Sequence, residues 1–132
     1  MSRILLDTHL LLWAVAEPRK MPPAVRSRID AAEVFVSAAS IWKVSIKAAL
    51  GKLAADPAEL LAEIEPAGFN LLPVTGEHAA AVARLPAIHA DPFDRMLVAQ
   101  AKTEPLLLLT NDSLLAGYGD CVELITPKPR RS

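Results

Sequence analysis

Short, continuous aliphatic runs are the feature that most constrains how this chain folds. Such runs fit strands buried on both faces of a parallel sheet, where neither face meets water. Each run is followed, before the next, by one or more segments with helical length and capping residues. In chain order the predicted strands are residues 3–6, 34–36, 69–74, 106–109 and 122–125. This alternation predicts an α/β fold: a three-layer α/β/α sandwich around a mostly parallel sheet of about five strands.

The length and composition predict one domain. The chain has 132 residues, of which 52% are hydrophobic and only 5% aromatic. That is enough aliphatic material for one sizeable core, and it excludes a disordered chain. No linker, repeat or low-complexity segment divides the sequence. We therefore expect a single domain over residues 1–127 and a basic tail over residues 128–132.

Charge and cysteine content exclude several classes of protein. The net charge is -1 and the pI is about 6.3, so any nucleic-acid binding must rest on a local patch. The single cysteine, Cys121, excludes an internal disulfide framework and a multi-cysteine zinc site. No run approaches the roughly 18 apolar residues of a membrane span. A cytoplasmic protein without membrane contact is the expectation.

Aspartates follow two of the predicted strands. Asp7 comes directly after residues 3–6, and Asp112 lies just past residues 106–109. In an open parallel sheet, ligands bind beyond the carboxyl ends of the strands, where the strand order reverses. If these two strands are neighbours at that point, both carboxylates face the same crevice.

A third segment, HADPFDRMLVAQA (89–101), contributes two more acids at the start of a predicted helix. Asp91 before Pro92 is a good N-cap, and Asp94 falls at the third helical position, where a carboxylate favours the helix dipole. Simple winding does not place this helix start beside Asp7. Asp112 also suits a cap. Spacing alone leaves two hypotheses open: a metal site of Asp7, Asp94 and Asp112, or a set of caps and surface charges.

The chemistry of a carboxylate cluster favours Mg²⁺ or Mn²⁺. A divalent cation removes the repulsion between the acids, and both ions prefer oxygen ligands. Such an ion activates water for hydrolysis of a phosphodiester. The histidines have no mutual ligand spacing, so His9, His78 and His89 are expected to be surface or packing residues. No glycine-rich phosphate loop is present.

Four motifs in order make the chain resemble a known family. They are LLDTH, SAASIWKVSIKAALGKL, HADPFDRMLVAQA and LLTND. With them the sequence resembles PIN-domain proteins, in particular the VapC-type toxin ribonucleases of bacterial toxin–antitoxin pairs, over about residues 3–125. The resemblance implies a Mg²⁺- or Mn²⁺-dependent endoribonuclease that forms a homodimer and a hetero-oligomer with its cognate antitoxin. It implies that Asp7, Asp94 and Asp112 are the catalytic and metal-binding residues, with auxiliary roles for Asp91, Thr8, Ser40, Thr110 and Asn111.

Lys43 departs from the family pattern. The motif usually reads S-x-W-E, whereas this chain has Ser40-Ile41-Trp42-Lys43. A charged lysine has no lone pair for a metal. Three hypotheses follow. The ammonium acts on phosphate beside a single metal; or it pairs with the aspartates and keeps the site empty; or it points outward and starts a basic track with Lys47.

The predicted function is therefore a metal-dependent endoribonuclease toxin that hydrolyses RNA, weakened if Lys43 enters the site. The alternative is a catalytically impaired PIN-fold module that binds RNA or the antitoxin without cleaving. Lys47 and Arg95 are the predicted contacts to RNA phosphates.

Overall fold

Five parallel strands form one sheet at the centre of the molecule. The computed structural model describes residues 2–125, so the predicted tail at 128–132 and the boundary at residue 127 lie outside the described residues. The strand order is β3-β2-β1-β4-β5, and every neighbouring pair is parallel. The strands are β1 (Arg3–Leu6), β2 (Glu33–Ser37), β3 (Asn70–Leu72), β4 (Leu107–Thr110) and β5 (Val122–Leu124).

Helices follow the strands in the order that the sequence predicts. The described residues form six α-helices: α1 (Thr8–Val15), α2 (Pro23–Asp30), α3 (Ala38–Ala49), α4 (Pro57–Ile64), α5 (Gly76–Ala81) and α6 (Pro92–Thr103). Three short 3-10 helices accompany them, at Pro18–Lys20, Val82–Arg84 and Ser113–Tyr118. No helix within residues 2–125 is both long enough and apolar enough to cross a membrane.

Alternate residues of the strands face two separate cores. On β1, Ile4 and Leu6 belong to a cluster with residues of α1, α2, α3 and α4, whereas Leu5 belongs to a second cluster with α6 and the last 3-10 helix. All three side chains are fully buried. Helices therefore cover both faces of the sheet, and the predicted three-layer α/β/α sandwich with a parallel sheet is confirmed.

The strand order reverses between β1 and β4. The chain goes from β1 to β2 and β3 on one side, and then returns to place β4 and β5 on the other. Leu6 pairs with Leu109 at the carboxyl ends of these two neighbours. The Asp7 backbone N–H donates to the Leu109 carbonyl at 3.0 Å. The two strands that precede Asp7 and Asp112 are therefore adjacent, at the position where such sheets bind ligands.

Two elements differ most from the sequence prediction. The strand expected over residues 69–74 is only Asn70–Leu72, because it lies at the sheet edge and Pro73 has no N–H to continue the pairing. The helix expected after Thr75 changes to a 3-10 turn at Val82. Its start is well fixed, since the Thr75 hydroxyl and the His78 ring form a reciprocal capping box.

Candidate functional site

Three of the four aspartates are helix N-caps, and this fixes their orientation. Each carboxylate uses Oδ1 to accept a backbone N–H in the first turn of a helix, which leaves Oδ2 for a different partner. Asp7 caps α1 through His9 N–H at 2.8 Å, Asp91 caps α6 through Phe93 N–H at 2.8 Å, and Asp112 caps the last 3-10 helix through Leu114 N–H at 3.0 Å. The capping hypothesis is therefore correct for these acids, but it does not explain what their second oxygens contact.

Asp94 lies between two nitrogen donors that link it to the neighbouring acids. Its Oδ1 lies 3.8 Å from the Lys43 ammonium, which is 3.0 Å from Asp91 Oδ2. Its Oδ2 lies 3.5 Å from Nε2 of His89, which is 2.9 Å from Asp112 Oδ2. The start of α6 is thus brought to the same edge as the end of β4. A row of alternating acids and donors results: Asp91, Lys43, Asp94, His89 and Asp112.

Asp7 lies beside this row and is almost completely buried, with 3% of its surface exposed. Its Oδ2 accepts a hydrogen bond from the Thr110 hydroxyl at the end of β4. The same hydroxyl accepts the Asp112 backbone N–H at 3.0 Å. Thr110 therefore connects the two strand ends and orients both acids. On the other side, the Thr8 hydroxyl donates to buried Ser40 at 2.9 Å and joins α1 to α3.

The pKa values of Asp91, the N-cap of α6, and Asp94, in its first turn, are shifted in opposite directions. Burial tends to raise the pKa of Asp91, but the hydrogen bond from Lys43 and the backbone N–H groups of Asp94 and Phe93 outweigh it, so its pKa lies below the usual value. Burial raises the pKa of Asp94, and the charges of Asp91 and Asp7 add to that rise despite Lys43. Asp94 is only 8% exposed. A cation bound beside the Asp94 carboxylate would therefore offset the free-energy cost of burying its negative charge.

His89 belongs to the site, and its prediction as a surface or packing residue is wrong. Its Nδ1 accepts the Asp91 backbone N–H at 3.1 Å, so the neutral ring carries its hydrogen on Nε2 and donates to Asp112. Its own backbone N–H donates to the buried Tyr118 hydroxyl at 3.0 Å. The available sequence signal was its position, two residues before a capping aspartate. His78 is buried, as the packing prediction expects. His9 is exposed, as the surface prediction expects, but its Nδ1 lies 3.9 Å from Asp7 Oδ1.

Lys43 points into the site, so the outward hypothesis is wrong. Its side chain is 13% exposed and its ammonium lies between Asp91 and Asp94. The rotation of α3 explains this, because Ser40 and Val44 are buried on the adjoining face. Lys47 lies one helical turn after Lys43 on α3, as the sequence predicts. The first lysine of this pair lies inside the acid cluster.

The remaining predicted residues have different surroundings. The Arg95 guanidinium donates to the carbonyls of Pro86 (2.9 Å) and Val82 (3.1 Å) and to the Tyr118 hydroxyl (3.2 Å). This gives Arg95 a structural role, and its predicted phosphate contact stays untested. Asn111 is exposed. Lys47 lines a cavity of about 250 Å³, beside the acids, whose other polar lining residues are Thr8, His9, Lys43 and Lys52.

The residues present fit a divalent cation that prefers oxygen. Ligand atoms of His89, Asp94 and Asp112 lie within 4.8 Å of one another. Asp7 is not one of these three residues, but it ends the strand next to β4, and its charge adds to the rise in the pKa of Asp94. Nitrogen-bound hydrogens of Lys43 and His89 now approach the oxygens of Asp94 from both sides. In its present tautomer His89 is a donor rather than a ligand, and carboxylate oxygens are the available ligands.

A broad apolar surface adjoins the site. Trp42 is 64% exposed and packs edge-to-face on Phe93, with ring centroids 5.1 Å apart. These two rings line a groove of about 520 Å³. Leu61, Leu71 and Val74, near the same side of α3, are also exposed. Exposed apolar patches of this kind mark surfaces that contact proteins, membranes or ligands.

Fold and site together define an α/β domain of one type: a five-stranded parallel sheet with acids gathered where the strand order reverses. The chain belongs to the PIN-domain family, whose model matches residues 4–119.

Solved structures support this assignment at the level of the fold. The chain is similar to one in the DNA-bound VapBC of Salmonella typhimurium, with a TM-score of 0.67, 18% identity, and coverage of 96% of this chain and 98% of that one. It is also similar to a chain of DNA-bound VapBC2 from Rickettsia felis, with a TM-score of 0.67, 12% identity, and 94% and 98% coverage. A toxin–antitoxin complex from Klebsiella pneumoniae matches with a TM-score of 0.64, 15% identity, and 91% and 95% coverage. No curated protein sequence matches the chain.

Proposed function

We propose that this protein is a metal-dependent endoribonuclease that hydrolyses RNA phosphodiesters as the toxin of a toxin–antitoxin pair. The observation that carries the proposal is the gathering of carboxylates at the switch point of a PIN fold, where Asp94 and Asp112 lie together and Asp7 ends the neighbouring strand. Burial raises the pKa of Asp94. Family membership adds to it, since PIN domains are generally nucleases. In this proposal the three acids hold Mg²⁺ or Mn²⁺.

The chain's own residues supply orientation and charge. When bound, the metal ion supplies an activated water and stabilises charge on the phosphoryl oxygens. Thr110 holds the Asp7 carboxylate, and the cap at α6 holds Asp91. His89, anchored by Tyr118, is placed to donate a hydrogen bond to Asp112 or to a phosphate oxygen that replaces it. Preorganised donors of this kind keep the geometry when substrate binds.

The RNA backbone has a local basic surface to follow. Lys43, Lys47 and Lys52 line one cavity beside the acids, together with Thr8 and His9. Within residues 2–125 Lys47 and Lys52 form no salt bridge, so their charges are free for phosphates. This local patch fits a chain whose net charge is only -1.

We further propose two protein partners: a second copy of the chain and an antitoxin. The apolar groove beside Trp42 and Phe93 is the surface that supports this proposal. The similar structures are themselves toxin–antitoxin complexes, some of them bound to DNA.

A second candidate function follows from Lys43. Its ammonium lies where it neutralises Asp91 and Asp94, which favours a module that binds RNA or antitoxin and does not cleave. Cleavage by purified protein separates the two functions. We expect RNA cleavage in Mg²⁺ or Mn²⁺ that stops with chelator, and growth arrest on expression that is relieved by Asp7→Ala or by the antitoxin. Arrest that survives Asp7→Ala would contradict hydrolysis as its cause.

Tyr118→Phe is expected to slow RNA cleavage by about tenfold without weakening RNA binding, since removal of an outer partner of a site residue typically costs that much. The hydroxyl accepts both the His89 N–H and Arg95, and it holds the loop that carries His89 and Asp91. The measurement is kcat and KM at several salt concentrations.

Arg95→Met tests the predicted RNA contact against the structural role. If Arg95 only supports Tyr118, this variant should match Tyr118→Phe and leave the salt dependence of binding unchanged. If Arg95 contacts a phosphate, the slope of log affinity against log salt should fall by about 1. That fall would restore Arg95 to the RNA interface.

A further inference from the structure

The ammonium group of Lys43 lies inside the acid cluster. The Lys43 ammonium lies 3.0 Å from Asp91 Oδ2 and 3.8 Å from Asp94 Oδ1, with only 13% of the side chain exposed. Asp94 meets His89 on its other oxygen, at 3.5 Å. The two donors therefore divide the cluster into an Asp91 side and an Asp112 side, with Asp94 shared between them.

The two donors differ in how they respond to a metal ion. His89 in its neutral form donates one hydrogen, and its ring can release Asp94 and Asp112 without separating opposite charges. Lys43 carries a full charge at ion-pair distance from two carboxylates. A divalent ion placed on the Asp91 side would be strongly repelled by that ammonium, because water screens like charges only weakly in a partly buried site.

The fold holds Lys43 in this place. Ser40 and Val44, on the same helix, are 1% and 0% exposed and fix the rotation of α3. Asp91 is held in turn by its cap on α6. Lys47, one turn further along α3, forms no salt bridge within residues 2–125. Position on the helix, rather than lysine content, decides which ammonium enters the cluster.

We propose that Lys43 is a built-in counter-cation that closes the Asp91 side to divalent ions and leaves one ion position, formed by Asp7, Asp94 and Asp112. This inference rests on the proposed function only in requiring that the acids bind a metal. It assigns a number of ions and an affinity, and it holds whether or not the bound ion supports fast cleavage.

The test is titration of the full chain with MnCl₂ by calorimetry, without RNA. The native protein should bind one Mn²⁺. Lys43→Met should bind Mn²⁺ at least about tenfold more tightly, because the repulsion is removed while the side-chain length is kept. Lys43→Glu should bind two ions, since it adds a carboxylate beside Asp91. Lys47→Met is the matched control; it removes the same charge from the same helix and should change affinity by much less.

Different results overturn different claims. Two Mn²⁺ ions in the native protein, or equal affinities for native, Lys43→Met and Lys47→Met proteins, would contradict the role of Lys43 and leave the metal site intact. No Mn²⁺ bound by the native protein or by either Lys43 variant at millimolar concentration would overturn both this inference and the proposed hydrolytic function. Circular dichroism on each variant checks that it is folded.

Discussion

Asp94→Asn is expected to abolish metal-dependent RNA cleavage and, at the same time, to raise thermal stability. The loss should reach about 100-fold or more, because a metal ligand contributes several kcal/mol of charge stabilisation. The gain has a separate cause. Burial, with the charges of Asp91 and Asp7, raises the pKa of Asp94, so its ionised form is unfavourable in the folded protein. Asparagine keeps the shape and removes that charge.

The stability gain depends on pH with a definite sign. A folded-state pKa above the unfolded value means that the folded protein binds more protons in the interval between them, so stability falls as pH rises through that interval. Asp94 therefore destabilises the metal-free protein at neutral pH and not at pH values below its ordinary pKa. The difference in melting temperature between Asp94→Asn and native protein should be positive at pH 7 and should vanish as the pH approaches 3 to 4, the range of an ordinary aspartate.

Two comparisons make the result specific. Asp120→Asn changes the same charge at an exposed position and should alter neither property. Asp7→Ala, in contrast, removes a helix cap and should lower stability by about 0.5–2 kcal/mol. An Asp94→Asn protein that still cleaves would remove Asp94 from the metal site. One that melts earlier at pH 7 would show that Lys43 and His89 fully compensate its charge.

Much of this arrangement follows from local rules that the sequence displays. Asp7 and Asp112 could be predicted to lie at one edge because the carboxyl ends of parallel strands point the same way. In a sheet that extends to both sides of its first strand, that strand lies near the centre. The cap role of Asp91 follows from Pro92 alone. These inferences need only the order of the elements and the chemistry of the first helical turn.

The missing parts depend on contacts between distant segments. His89 lies in an irregular segment without hydrophobic periodicity, and its position is set by Tyr118 and Asp112, more than 20 residues away. The direction of Lys43 depends on how α3 rotates against the sheet, which the burial of Ser40 and Val44 decides. Asp7 shows why spacing could not decide between a cap and a site residue, since an acid can cap a helix with one oxygen and face a crevice with the other.

In three of the acids one carboxylate oxygen caps a helix while the other faces the site, so the fold itself orients these site residues. A capping aspartate has a fixed orientation before any ligand arrives, because Oδ1 is held by the backbone of the helix it starts. Within residues 2–125 the Asp94 side chain caps no helix, and Lys43 and His89 are the nearest charged or polar groups to its oxygens. The acid most sensitive to a change in its neighbours is therefore Asp94, and the neighbour with the largest charge is Lys43.

Lys43→Glu is expected to increase Mg²⁺- or Mn²⁺-dependent RNA cleavage by about tenfold or more, because the change of two charge units strengthens metal binding beside Asp94. Without metal this variant gathers another acid against Asp91 and Asp94, so its melting temperature should fall below the native value. Added Mn²⁺ should restore it, and by more than in native protein, since a ligand that binds only the folded state stabilises in proportion to its affinity.

Cleavage rate and Mn²⁺-dependent melting of Lys43→Glu should be measured beside Lys47→Glu, which makes the same change one turn away. Lys47→Glu is expected to weaken RNA binding and to leave the response to Mn²⁺ near native, because Lys47 lines the basic cavity and contacts no acid of the cluster within residues 2–125. Unchanged cleavage by Lys43→Glu would show that the lysine does not limit the site. If Lys43→Glu binds Mn²⁺ more tightly but cleaves RNA more slowly, the ammonium itself acts on the scissile phosphate. Its positive charge would then help the reaction more than it weakens metal binding.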